Sequence, residues 1–127
     1  MQRVVFAMLS QDKKRAGVGY LMGVAANSGL YRFAVSLEPT NLFSMLLSKQ
    51  QGFWLKPDNQ EKFLPMIPDE VTAAVDKRGF FCMSIFVHDQ PVGFVYADGK
   101  SAMNMECYTK FKQICADLCI DLEKSRE

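Results

Sequence analysis

The stretch FFCMSIFVHDQPVGFVYADG, residues 80 to 99, limits what this chain can become more than any other part of it. Residues 80 to 87 form a nearly unbroken apolar run with no polar alternation, which fits a central strand covered on both faces. His88-Asp89-Gln90 supplies a turn, and PVGFVYA, residues 91 to 97, pairs back as the last strand. Pro91 stands at the first position of that strand, where a missing N–H does little harm. A hairpin covered on both faces needs a layer above it and a layer below it, and the rest of the chain must supply them.

Residues 3 to 9, RVVFAML, are β-branched and aromatic and read as a strand. After the polar loop SQDKKRAG, residues 17 to 25 read as a second strand, whose glycines indicate a bulge or a close backbone contact. LYRFAVSL, residues 30 to 37, alternates and predicts a third strand. Pro39-Thr40-Asn41 caps a helix over LFSMLLSKQ, which Gly52 ends. FWL, residues 53 to 55, is too short to be a full strand by itself, and EKFLPMIP is irregular. Pro68-Asp69-Glu70 opens a short second helix with Val71, Ala74 and Val75 on one side. The longest helix is predicted from Asn104 to Glu123, with one apolar stripe of Tyr108, Phe111, Cys115, Leu118 and Leu122. The fold class is therefore α+β, a sandwich around one antiparallel sheet with helices on both faces.

The 127 residues make one domain, without an internal linker or repeat. A net charge of +1 lacks the basic surplus of a nucleic-acid binder. No apolar run approaches the roughly 18 residues of a membrane span, and MQRVVFAML is too short for a signal peptide, so a cytoplasmic location is expected. Cys82, Cys107, Cys115 and Cys119 form no CxxC pair. Cys115 and Cys119 share a helix face, but zinc wants about four ligands, and the only histidine, His88, sits in the hairpin turn. Reduced core thiols are expected, with no metal and no cofactor. Ser84 lies in no nucleophile elbow, and Asp98 has no partner acid, base or metal at an interpretable spacing, so no residue is assigned a catalytic role. Asp98-Gly99 reads as turn punctuation, the carboxylate bonding nearby backbone. Lys13-Lys14-Arg15 reads as a solvated tip.

The order of an apolar strand with Met-Ser-Ile-Phe-Val, a short turn, Pro-x-Gly-Phe, Tyr-Ala-Asp and a Tyr-x-x-Phe-Lys helix carries a resemblance. With RVVFAMLSQDKKR, LEPTNLFSMLL and FWLKPDN ahead of it, the chain from about Arg3 to Cys119 resembles the GAF-like domain that follows an HDOD domain in many bacterial signalling proteins. The resemblance implies a six-stranded antiparallel sheet with helices on both sides. It also implies a regulatory or small-molecule-sensing role rather than catalysis, and an HDOD domain in the same or another chain as a partner. The chain departs from the pattern in starting almost on its first strand, where such domains open with a helix, and in lacking the HDOD portion. It also lacks the Asn-Lys-x-Phe-Asp-Glu type signature of cyclic-nucleotide GAF domains and a recognisable bilin-attachment cysteine.

In GAF folds the ligand pocket lies under the segment that here spans roughly residues 41 to 78. Trp54, Asn59, Phe63 and Asn41 are its candidate ligand-binding residues, aromatics with a few polar groups for an unknown small molecule. Alternatively, Trp54 and Phe63 simply plug the sheet face. The terminal stripe of Tyr108, Phe111, Cys115, Leu118 and Leu122 lacks the opening helix that would share its cover, which predicts a homodimer through it. The alternative is a helix lying flat on the sheet. The expected function is a bacterial regulatory module that binds a small molecule or a partner and signals through its terminal helix. The rivals are a ligand-free interaction and dimerisation domain and, more weakly, a small enzyme.

Overall fold

The computed structural model describes residues 3–99 and 104–125. Six strands form one antiparallel sheet: β1 (Arg3–Leu9), β2 (Arg15–Met22), β3 (Ala34–Ser36), β4 (Gly52–Leu55), β5 (Phe80–Val87) and β6 (Gln90–Asp98). Their order across the sheet is β3-β2-β1-β6-β5-β4, so each half is a meander and the first and last strands meet at the centre. Three short helices, α1 (Leu42–Leu46), α2 (Gln60–Phe63) and α3 (Asp69–Thr72), lie in the crossover between β3 and β5. A long helix, α4 (Met105–Ser125), follows β6.

The hairpin of β5 and β6 forms as expected and is buried almost throughout. Its turn is His88-Asp89, with φ of 51° and 65°. Two left-handed residues give a loop whose twist matches the strands it joins. Pro91 is met by a register shift between Ile85 and Phe86. Gly93 is needed for space: a Cβ there would collide with the Ala7 carbonyl in the neighbouring strand.

Alternation then divides the side chains of this hairpin between two cores. Phe80, Cys82, Phe94 and Tyr96 join the core under the crossover. Phe81, Met83, Ile85, Val95 and Ala97 join the core under α4. Ser84 is fully buried, and its hydroxyl donates to the Lys49 carbonyl and accepts from the Gln51 N–H, both at 3.0 Å. That pair of bonds ties the chain leaving α1 to the middle of the sheet.

Several boundaries differ from the sequence reading for local reasons. Residues 29–32 form a 3-10 turn, because the Ser28 hydroxyl accepts the Leu30 N–H and starts it. Only Ala34–Ser36 of the expected third strand pairs with β2. β2 ends at Met22, and its bulge lies opposite the Phe6/Ala7 step, where Gly19 is the unpaired extra residue. The FWL segment does become a strand once β5 is available to pair with it. Asn41 caps α1 as expected, accepting from the Phe43 and Ser44 N–H groups while the Ser44 hydroxyl accepts from Asn41. α1 is nonetheless a single short element, its last turn tightening at Leu47.

Candidate functional site

Among the described residues, the polar end of β6 and the flank of α4 bring together the most polar and the most apolar open surfaces. At the first, the antiparallel register sets Arg3 directly opposite Asp98. The guanidinium grips the carboxylate with two bonds, from Nε at 2.8 Å and from Nη2 at 2.5 Å. The Tyr96 hydroxyl donates to the same carboxylate and accepts the Asp76 backbone N–H at 2.8 Å. The Asp98 side chain is 2% exposed and that of Arg3 30%, so the charge is held inside and balanced from the rim. Burial, and then the charge of Asp98, push the Tyr96 hydroxyl far above its ordinary range, so it remains a proton donor.

Asp76 in turn takes two bonds from the Arg78 guanidinium, at 3.1 and 3.0 Å. Burial opposes its ionisation, but those bonds outweigh it and hold the carboxyl below its usual value. Both Asp98 oxygens are engaged by Arg3 and Tyr96, which leaves the residue unsuited to take a proton from a substrate. Its carboxylate is held by a buried ion pair rather than by the turn bonds expected of an Asp-Gly step.

Beside this network opens a cleft of about 250 Å³, lined by Trp54, Lys56, Asp76, Arg78 and Gly99. The Lys56 ammonium lies 4.7 Å from the Trp54 ring centroid. Phe81 and Tyr108 also pack on the indole, each at 5.5 Å between ring centroids.

The four residues expected to line one ligand pocket are not brought together. β4 sends neighbours to opposite faces, so Trp54 joins the α4 side while Phe53 meets Phe63 on the crossover side, at 4.8 Å. The Asn59 side chain closes a turn, accepting the Lys56 N–H and donating to the Trp54 carbonyl. Asn41 is occupied as the helix cap. The sheet face under the crossover is plugged, with Phe33, Phe43, Phe94 and Tyr96 at 2% exposure or less.

The stripe expected at a dimer interface is covered by the protein's own sheet. Phe111 and Cys115 are buried, Tyr108 lies 5.1 Å from Phe81 between ring centroids, and Leu118 and Leu122 are half-buried beside them. The helix lies flat, its far end held by the Glu123 carboxylate, which accepts the His88 N–H at 3.2 Å.

The unpartnered surface runs along one flank of that stripe, whose Phe111, Cys115 and Leu118 help to line it. α4 packs over β5, and the half of the same face formed by β1 and β2 has no helix above it among the described residues. A groove of about 560 Å³ results, lined by Val4, Phe6, Tyr20, Met22, Ile114 and Leu118. Tyr20, Met22 and Ile114 are 58%, 57% and 58% exposed. Sequence reasoning reached this place only through the α4 stripe, of which Phe111, Cys115 and Leu118 line the groove, and not through β1 and β2. The signal left unused was the second apolar set of β1, Val4 and Phe6 alternating with the buried Val5 and Ala7, which marks a strand with two apolar faces.

The remaining candidates are quiet. Lys13 and Lys14 are exposed at the β1–β2 tip, and Arg15 reaches Glu70 at 3.7 Å. The four cysteines are unpaired. Burial raises the Cys82 thiol well above its ordinary value and that of Cys115 to about 12, so neither is a ready nucleophile. No group of three or more His, Cys, Asp or Glu suited to a metal ion occurs among the described residues. Among those residues no helix is long and apolar enough to cross a membrane. Comparison with protein-family models, with curated proteins and with solved structures found no match to this chain.

Proposed function

We propose that this protein is a GAF-like regulatory module that works by docking, with the groove beside α4 as its recognition surface and the packing of α4 as its output. The observation that carries this reading is the contrast within the sheet: under the crossover the sheet surface itself is filled by aromatic side chains, with clefts only at its margins, whereas the face under α4 is open along an apolar groove of about 560 Å³. Six antiparallel strands with helices on both faces support the GAF-like assignment, as do the sequence motifs. A bacterial HDOD partner rests on the sequence resemblance alone, and a cytoplasmic setting on the sequence reading alone. A docking surface needs no bond made or broken, and a partner shifts α4 only by its difference in affinity for the two packings.

The test is an apolar fluorescent probe added to folded protein at a dilution where it is monomeric. The expected result is binding that Met22→Lys abolishes while the thermal midpoint stays unchanged. Absence of binding to the wild-type monomer overturns the docking reading.

A second reading is favoured by one specific observation, the cleft beside Trp54 with Lys56 and Arg78 on its walls. Two cations against one Asp76 carboxylate suit a small anion, whose arrival would displace Lys56 from the indole. Trp54 fluorescence titrated with inorganic phosphate and with nucleotides checks it. A change that Lys56→Met removes supports sensing, and a flat titration leaves docking alone.

A further inference from the structure

We propose that the outer edge of β4 takes an extended peptide from another protein, added as a further strand, with apolar side chains at alternate positions and acidic residues at its ends. β4 stands last in the sheet, with β5 as its neighbour. The Ser84 N–H donates to the Gln51 carbonyl at 3.0 Å, and this bond fixes the alternation. Gln51, Phe53 and Leu55 turn their backbone groups to β5, whereas Gly52 and Trp54 turn theirs outward. The Trp54 carbonyl is occupied on that outer side, accepting from the Asn59 amide at 3.1 Å. The Gly52 N–H, the Gly52 carbonyl and the Trp54 N–H meet no hydrogen-bond partner there among the described residues.

Side-chain recognition comes with that pairing. Residues opposite each other in an antiparallel pair point to the same face. A peptide residue opposite Gly52 bonds both of its backbone groups. Its two neighbours, opposite Gln51 and Phe53, then point to the crossover face. A cleft of about 370 Å³ opens there beside the strand, walled by Leu42, Met45, Leu46, Phe53 and Phe63. Met45 is 43% exposed, and an unbranched methionine adapts to what packs against it. On the α4 face the edge is closed, since a Cβ on Gly52 would fall 2.7 Å from the Tyr108 hydroxyl. Open main-chain groups beside a pocket for alternate side chains are what strand addition requires.

The charges choose the occupant. Lys49 lines the same cleft, and Lys112 lies against Gly52 with its ammonium 4.7 Å from the Tyr108 ring centroid. These cations suit acidic residues at the ends of the peptide. They also oppose a second copy of this chain, because two β4 edges paired about Gly52 would bring the two Lys112 side chains together. Each copy would moreover offer the other's cleft a Phe53 ring that already packs on its own Phe63, at 4.8 Å between centroids. A separate peptide has its side chains free to enter. The site is distinct from the groove beside α4 and does not depend on it.

The experiment is amide hydrogen exchange read by NMR on the whole chain, with and without the acetylated and amidated peptide Glu-Leu-Thr-Leu-Glu. Exchange at Gly52 and Trp54 is expected to slow about tenfold or more at saturating peptide, with the amides of β1 unchanged. Methylating the Thr nitrogen of the peptide removes its bond to the Gly52 carbonyl and should weaken binding about tenfold or more. Met45→Asp should weaken binding about tenfold while the thermal midpoint stays unchanged, because the side chain it replaces is exposed in the free protein. Lys49→Glu should weaken it as well, and more at low salt.

Unchanged exchange at Gly52 and Trp54 overturns the proposal, and so does equal binding of the N-methylated peptide. Slowing that appears without peptide and grows with protein concentration assigns the edge to a second copy and overturns the peptide as occupant.

Discussion

The two faces of the sheet are built from the same strands and finished in opposite ways. On the crossover face, an irregular segment of short helices and turns seals the surface. Phe43 stacks on Phe94 at 4.9 Å between ring centroids, and Phe33 meets both edge-on at 5.9 and 6.0 Å. On the other face, one regular helix covers half the strands and leaves the rest bare. Irregular chain can follow a twisted surface closely, whereas a straight helix covers only the strip beneath it. The more regular element thus leaves the less complete cover, and the groove beside α4 is the result.

The largest expected effect tests the contrast directly. Phe43→Ala should cost about 3–5 kcal/mol by chemical denaturation, since the sealed face cannot collapse around the void. Ile114→Ala, on a large but exposed apolar side chain, should change the stability of the monomer by less than about 0.5 kcal/mol. Equal losses at the two positions would mean that the groove is packed shut in solution.

Next in size is the ion pair at the end of the central strands. Arg3→Met leaves Asp98 buried without its cation, and with Arg3 itself partly exposed the loss should be about 2–3 kcal/mol in urea unfolding. Retention of full stability would mean that water reaches the carboxylate.

Alkaline pH sharpens the comparison further. Cys82 and Tyr96 on the sealed face and Cys115 under α4 all have folded values raised above their unfolded ones by burial. Their contribution is intact below the unfolded values. It falls as pH climbs past about 8.5 for the thiols and about 10 for the tyrosine, because the unfolded chain then releases protons that the folded one keeps. Thermal midpoints should decline across that window. Thiol reagents at neutral pH should modify half-buried Cys107 first, Cys115 later and Cys82 last, as mass spectrometry of the labelled protein would read. The smallest effect is expected at the hairpin turn. Asp89→Gly, at φ 65°, should stabilise by about 0.5 kcal/mol in the same denaturation assay, relieving a left-handed residue that glycine adopts freely.

The central hairpin, the first strand and the long helix were legible because each is a sustained local pattern. β1 and β5 occupy the expected residues, 3 to 9 and 80 to 87. What failed were elements whose structure depends on a distant partner. FWL is a strand only because β5 offers it an edge, and LYR is a turn because Ser28 captures the Leu30 N–H. Asp98 looked like a turn residue because Arg3 is 95 positions away, and only the pairing of the first strand with the last brings them together. The stripe of α4 was read correctly as apolar; it packs on the protein's own sheet while Phe111, Cys115 and Leu118 also line the open groove, since a sequence shows which face of a helix is apolar and not what lies against it. Trp54 and Phe63 are near in sequence, yet the pleat of β4 parts them.

One feature of α4 bears on time rather than on contacts. The helix is fastened along a single stripe, with the bond from the His88 N–H to Glu123 near its last turn. It can therefore lift from the sheet without unpairing a strand, a partial opening of the kind that amide exchange detects. Amides of α4 should exchange well before those of β1, β5 and β6, whose release requires the whole sheet to come apart. Two opening times are therefore expected, the shorter of which leaves every strand pairing intact.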